Sequence, residues 1–262
     1  MKTLERQKLL LAKANKNSFV SIPDTAQELQ VSVETIRRDI NILCNQKKLK
    51  KVHGGAVPIQ DAIRKDPSFF QRFHHNPKGK SAVAAEAAQL VRSGDVVTMD
   101  GGATTLMVAQ HITGVSNVTF VVNSLPIAST LIEKISSGDI SGNVIILGGM
   151  LTPVSQTVGD AYALEQLEHF RFDIAFISAS SVSAYGVSNS SLSGVFVRKL
   201  MDHAATRVLA IDSEKLGAAS TYRFASISDF DYVVTDDLNP FPQDLWEQVE
   251  SSKVHLTIVP NR

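Results

Sequence analysis

Residues Val31–Lys51, VSVETIRRDINILCNQKKLKK, decide how this chain is read. Val33, Ile36, Ile40 and Leu43 recur at helical spacing and define one apolar stripe. Ser32 stands just before the stripe, where a hydroxyl caps a helix amino end. Glu34, Thr35, Arg37, Arg38 and Asn41 then point away from it. That face mixes side chains that read base edges with side chains that grip phosphate, as a helix lying in a major groove requires. Taken alone, the pattern also describes a solvated amphipathic helix, so the flanks carry the decision.

Upstream, Ile22-Pro23-Asp24-Thr25-Ala26-Gln27-Glu28-Leu29 reads as a short helix, with Pro23 at a position that tolerates the missing N–H. A short helix, a break at Gln30–Ser32 and a longer polar-faced helix make a helix-turn-helix over about residues 20–39. Downstream, LKKVHGGAV (residues 49–57) reads as two short strands about a turn, with Lys47, Lys48, Lys50, Lys51 and His53 on or beside it. A basic hairpin after such a helix is a wing that grips phosphates. Residues 1–57 are therefore expected to form a winged helix-turn-helix, opened by a helix over 3–15 whose apolar side is Leu4, Leu9, Leu10, Leu11 and Ala14.

Charge supports that division. The 262 residues carry 26 Lys/Arg and 26 Asp/Glu, yet residues 1–55 hold 11 basic and 5 acidic residues, leaving 15 and 21 for the rest. A basic head on an acidic body points to a polyanion as the partner of the head. The lone Cys44 excludes an internal disulfide, reads as a small core residue and fits a reducing cytoplasm. No apolar run approaches the length of a membrane span, and MKTLERQKLL lacks a signal-peptide core.

Residues 58–78 carry prolines and many charges and read as a connector, with Phe69, Phe70 and Phe73 able to dock on either domain. His74 and His75 read as solvated, since no second cluster at ligand spacing supports a metal. From 79 to 262, short β-rich runs alternate with helices: strands at 96–99, 118–122, 144–147, 174–177, 208–211, 232–235 and 256–259, and helices at 82–91, 104–112, 126–135, 164–170 and 195–205. This alternation argues for a mainly parallel sheet covered on both faces, an α/β domain.

Ligands of such sheets sit at the carboxyl ends of the strands. Here those ends are small and polar: Asp100-Gly101-Gly102-Ala103-Thr104-Thr105, Asn123-Ser124, Gly148-Gly149, Ser178-Ala179-Ser180 and Asp212-Ser213-Glu214-Lys215. A glycine turn that opens a helix offers free N–H groups to phosphate. Thr104 and Thr105 add hydroxyls, Lys215 a positive charge, and Asp100 and Asn123 partners for sugar hydroxyls. Each feature alone is an ordinary turn or cap, but their convergence makes a pocket. Neither a GxGxxG nor a GxxxxGK[ST] pattern is present, so dinucleotides and nucleoside triphosphates fit poorly and no cofactor is expected.

The runs TIRRDI and LKKVHGGAV, followed by GDVVTMDGGATT, VVNSLPIA, ILGGMLTPVSQTVGD, FDIAFISAS and AIDSEKLG, resemble the DeoR family of bacterial transcriptional regulators over about residues 3–236. The resemblance implies a body similar to ribose-phosphate isomerases and CoA-transferase-like proteins. It implies a phosphorylated sugar or related metabolite as effector, operator DNA as the other partner, and a homodimer or homotetramer. Three departures stand out. Gln30 replaces the glycine usual before Val-Ser. Gly194 and Arg198 replace the acid and lysine of an EAxVKxxM motif. The glycine turn reads Gly-Gly-Ala-Thr-Thr rather than Gly-Thr-Thr-Thr.

The expected function is a sugar-phosphate-responsive repressor acting in the cytoplasm. The alternative is an aldose–ketose phosphate isomerase with a DNA-binding head, using Asp100, Asp173 or Asp212 as the base and Lys215 as an electrophilic partner. A third reading leaves the pocket vestigial and the body a device that only pairs the heads.

Overall fold

The computed structural model describes residues 3–17, 20–46, 48–52, 54–58, 68–217, 220–237 and 242–260. The chain divides into two compact units, Met1–Lys65 and Asp66–Arg262.

In the first unit, α1 (Thr3–Asn17) is followed by β1 (Val20–Ser21), α2 (Ile22–Glu28), α3 (Val33–Asn45), β2 (Leu49–Val52) and β3 (Gly55–Pro58). Ser21 caps α2 and Ser32 caps α3, each accepting a first-turn N–H. The antiparallel β2–β3 hairpin pairs Val52 with Gly55, and β1 adds to its free edge through β3. Leu10, Ala14, Ile22, Ala26, Ile36, Ile40, Leu43 and Leu49 form the core, with Leu11, Leu29 and Cys44 packed around it. One expectation needs correction. Val33, the first residue of α3, is 42% exposed, so the buried stripe begins at Ile36. Asp39, on the same helix but outside the expected polar face, is buried and pairs with Arg6 of α1. The side chain of Leu4 lies outside the described residues.

The second unit opens with α4 (Phe69–His74) and α5 (Pro77–Ala88), so residues 68–78 of the expected connector fold with the body. Ser68 and Gln71 close a capping box at the start of α4, and Phe69 is buried in the body core. Then come β4 (Val96–Met99), α6 (Ala103–His111), β5 (Val118–Val122), α7 (Leu125–Ser137), β6 (Gly142–Ile146), α8 (Ala161–Leu167) and β7 (Phe172–Ile177). The short β8 (Ser181–Ser183) and β9 (Gly186–Asn189) precede α9 (Ser193–Asp202) and β10 (Ala204–Ala210). β11 (Tyr222–Ala225), β12 (Tyr232–Asp236), α10 (Gln243–Glu250) and β13 (His255–Val259) complete the unit.

Seven strands form one parallel sheet in the order β13-β12-β10-β7-β4-β5-β6. Alternate residues feed two cores. Val97, Met99, Ile174 and Phe176 pack under α5, α6 and α7, whereas Val121, Ala175, Ile177 and Leu209 pack under α8, α9 and α10. Strands buried on both faces must be apolar throughout, which is why their sequences read as continuous runs. A separate antiparallel sheet, β11-β9-β8, and the helices α4 and α10 are parts that periodicity missed. Ala204 and Ala205, expected at the end of a helix, instead begin β10.

Candidate nucleic-acid interface and candidate effector site

On the first unit, Glu34, Arg37, Arg38 and Asn41 are exposed on α3. Ser32 Oγ accepts the Thr35 N–H at 3.1 Å and meets Thr35 Oγ1 at 2.8 Å, so these two hydroxyls hold the helix start. Arg37 reaches Glu34 at 2.9 Å in an exposed pair, whose net worth is small and easily exchanged for a phosphate. Lys51 Nζ donates to Asn41 Oδ1 at 3.2 Å, which joins the wing to the helix in one surface. Lys48 is also exposed. The backbone of Lys50 lies in β2, but its side chain, like Lys47 and His53, lies outside the described residues. The turn between α2 and α3 keeps its geometry without glycine: Gln30 itself adopts φ 52°.

On the second unit, the strand order reverses between β4 and β7: β5 and β6 extend to one side, β10, β12 and β13 to the other. Loops leave these two neighbours in opposite directions and open a crevice at their carboxyl ends. Asp100 follows β4 and Ser178 follows β7 at this point. Ser178 Oγ lies 3.2 Å from Asp100 Oδ2, and Thr105 Oγ1 and Gly102 N donate to Asp100 Oδ1 at 2.8 and 3.2 Å. Burial pushes the Asp100 carboxyl up to about 6, against the opposing pull of the Thr105, Ser178 and Gly102 hydrogen bonds. Both glycines are dictated by crowding: a Cβ on Gly102 would stand 1.8 Å from Ser178 Oγ, and one on Gly101 would stand 1.9 Å from Thr157 Cγ2.

Gly102 is the cap of α6 and no side chain caps that amino end, so its N–H groups face the crevice with the positive end of the helix dipole. Thr104 is buried in the same turn. Beside it, Asn123 donates from Nδ2 to Val158 O at 2.6 Å, while Asn123 Oδ1 and Ser124 Oγ are buried without a hydrogen-bond partner among the described residues. Such orphaned polar atoms are costly, and a ligand hydroxyl would satisfy them.

The other expected residues fall into separate groups. Gly148 is held by Gln166, and Gly149 lies against Asp160, which caps α8 and also accepts Met150 N at 2.7 Å. These backbone bonds hold the Asp160 carboxyl below the usual carboxylate range. Asp212 is fully buried and pairs with Lys80 at 3.1 Å, while Lys215 lies half-buried on the 3-10 turn Ser213–Lys215. Asp173 stands at the start of β7, where it accepts Val96 N at 2.7 Å. It is therefore at the opposite edge of the sheet from Asp100 and cannot share its chemistry. Thr157, Lys80, Asp160 and Asp236 were missed; Thr157, Lys80 and Asp236 act through partners distant in sequence, and Asp160 through a local cap. Among the described residues no group of three or more His, Cys, Asp or Glu is placed to hold a metal, and no helix is long and apolar enough to cross a membrane.

A helix-turn-helix with a basic wing, joined to an α/β unit with a polar crevice, defines a ligand-responsive DNA-binding regulator. The chain belongs to the DeoR family: residues 6–62 match the DeoR-like helix-turn-helix domain and residues 75–237 the DeoR C-terminal sensor domain. It is similar to the HTH-type transcriptional regulator GolR of Listeria innocua, with 29% identity over 89% of this chain and 90% of that one. It is 33% identical to the uncharacterized HTH-type transcriptional regulator YgbI of Escherichia coli, over 89% of this chain and 90% of its relative. Among solved structures, ribose 5-phosphate isomerase A from Neisseria gonorrhoeae aligns at 14% identity with a TM-score of 0.39, over 54% of this chain and 53% of that one. The family is the one expected, and the helix-turn-helix head with a parallel α/β body is the expected fold class. The chain is a DNA-binding transcriptional regulator, with operator DNA and a small-molecule effector as partners, and not an enzyme.

Proposed function

We propose that the protein represses a sugar-metabolism operon in the cytoplasm and is controlled by a phosphorylated sugar. In this reading residues 1–57 bind DNA, with α3 in the major groove and Arg37, Arg38 and Asn41 toward the bases. Lys50, Lys51 and His53 lie along the phosphates. The body binds the effector and pairs the heads, as a homodimer or homotetramer, so that two α3 helices meet successive major grooves. The observation that carries the effector assignment is the uncapped start of α6 beside two orphaned buried acceptors, Asn123 Oδ1 and Ser124 Oγ. The helix end suits a phosphate, and the acceptors suit the hydroxyls of a sugar. Gly101, Gly102, Thr104 and Thr105 would take the phosphate; Asp100, Asn123, Ser124 and Ser178 would take hydroxyls. Gly148, Gly149, Asp212 and Lys215 would bound the site.

The test is fluorescence anisotropy of a labelled fragment from upstream of the gene, titrated with protein, with and without a panel of sugar phosphates. Tight, salt-sensitive, sequence-specific binding that one compound changes supports the reading. Binding indifferent to every compound, with no thermal stabilisation by any of them, would instead leave the body as a pairing device.

A further inference from the structure

Ser68–Lys80, the segment that opens the second unit, is bonded at both ends to loops at the carboxyl edge of the sheet. At its start, Phe69 N–H donates to Val154 O at 2.9 Å. Val154 stands in the loop Pro153–Gln156, between Thr152 and Thr157, which pair with each other. Thr157 is also bridged to Ser124, and its methyl group fills the space beside Gly101. Leu125 N donates to Gln156 O at 3.1 Å. One side of this loop therefore rests on the candidate effector site, and the other holds Phe69. At the far end of the segment, Lys80 and Asp212 form an ion pair with both side chains at most 3% exposed. Asn76 Nδ2 reaches Asp212 Oδ1 at 3.4 Å, and Asp236 Oδ2 leaves no room for a Cβ on Gly79.

The two ends differ in firmness. Breaking one side of a buried ion pair strands a charge in a poor solvent, so the Lys80 end is fixed. At the start the Phe69 ring is buried in the body core, so what can change there is its one backbone bond to a loop whose Val154 is exposed. Between them α4 packs against α6, the helix that the glycine turn begins.

We propose that Ser68–Lys80 is a relay: pivoted on Lys80–Asp212, it follows the Pro153–Gln156 loop and so reports occupancy of the glycine-turn site to the chain leading back to the DNA-binding unit. The proposal rests on the effector-site reading above. An anion seated on Gly101-Gly102 crowds Thr157, the loop shifts, and the Phe69–Val154 bond shifts with it. The ligand drives this only as far as its affinities for the two loop positions differ.

Amide hydrogen exchange on the full-length chain tests the relay, with inorganic phosphate as the probe. In one variant Pro153–Gln156 is replaced by Asn-Gly, the turn that closes a hairpin between directly paired residues. That variant lacks the acceptor of Phe69, and without phosphate residues 69–74 should exchange about tenfold faster than in the native protein. Unchanged exchange there overturns the relay. In the native protein phosphate should slow exchange over 100–106 and alter it over 68–80 together. In the variant it should act on 100–106 alone. A response at 68–80 that survives the loop replacement overturns the relay, as does a native response confined to 100–106. No response at 100–106 in either protein removes the effector-site reading itself and the relay with it. Thr157→Ser deletes only the methyl group against Gly101. It should weaken the response at 68–80 in the same direction, which keeps the test open if the shortened loop does not fold.

Discussion

Asp100 and Ser178 meet across the point where the parallel sheet reverses its strand order, Ser178 Oγ standing 3.2 Å from Asp100 Oδ2. Asp100 is only 6% exposed, and the Thr105 and Ser178 hydroxyls and the Gly102 N–H are the dipoles that hold its charge. This contact ties the β4 turn to the β7 turn and sets the floor of the candidate effector site.

The Asp100 carboxyl is pushed up to about 6 from an ordinary 3.8, chiefly by burial. Its protonated form is favoured in the folded state. Stability from this group is therefore fully present below about pH 4 and declines as pH rises through about 6. Asp100→Asn should remove the decline and raise stability at pH 7–8 by an amount on the order of 2 kcal/mol. The amide oxygen still accepts from Thr105 and Gly102. Urea unfolding followed by Trp246 fluorescence at pH 4, 6 and 8 checks this. A variant with the same pH slope as the native protein would show that Asp100 is better solvated than its surroundings indicate.

Gly194 replaces an acid common in the family, and the space that acid would need is filled. A Cβ on Gly194 would lie 2.6 Å from the Tyr222 ring and 3.1 Å from Phe224 Cβ. Arg198, in place of the usual lysine, is committed to Asp202 and Asp229 at 2.9 Å each. Gly194→Glu should therefore destabilise the body by about 1–3 kcal/mol through overpacking. In a Tyr222→Ala background the same change should cost at least about 1 kcal/mol less. A double-mutant cycle by urea denaturation reads the coupling, and additive effects would dismiss the idea that Tyr222 occupies the acid's place.

Gln30 carries a left-handed backbone, φ 52°, in the turn of the helix-turn-helix. A side chain in that region costs about 1–2 kcal/mol, which glycine avoids at some cost in unfolded-state entropy. Gln30→Gly should stabilise the head by about 1 kcal/mol. The measurement is amide-exchange protection at Ile36 and Ile40, and lowered protection there would contradict it.

Arg38 and Arg37 are exposed on α3 and Lys51 is exposed on the wing. Arg38→Ala or Arg37→Ala should weaken operator binding by about 1–3 kcal/mol and relax sequence preference. Lys51→Ala should weaken all DNA alike and lower the salt slope by about one. Anisotropy at several salt concentrations separates these outcomes. Full operator affinity in both arginine variants would remove α3 from the groove.

The sequence by itself determined the succession along the chain of the seven strands of the parallel sheet, the two-part plan, the family and the polar strand ends. These are local signals. Apolar spacing separates α3 from β4, and Ser32 or Gly101-Gly102 mark starts and turns through their own backbone preferences. Tertiary structure decided which of the polar ends meet. Strand order cannot be read from strand identity, so only the fold placed β7 beside β4, and hence Ser178 on Asp100 and Asp173 at the far edge. It likewise turned Asp39 inward onto Arg6, left Val33 outside, and gave Asp212 to Lys80. A charged side chain is driven to the surface unless a distant partner is brought within reach, and no local pattern encodes that partner.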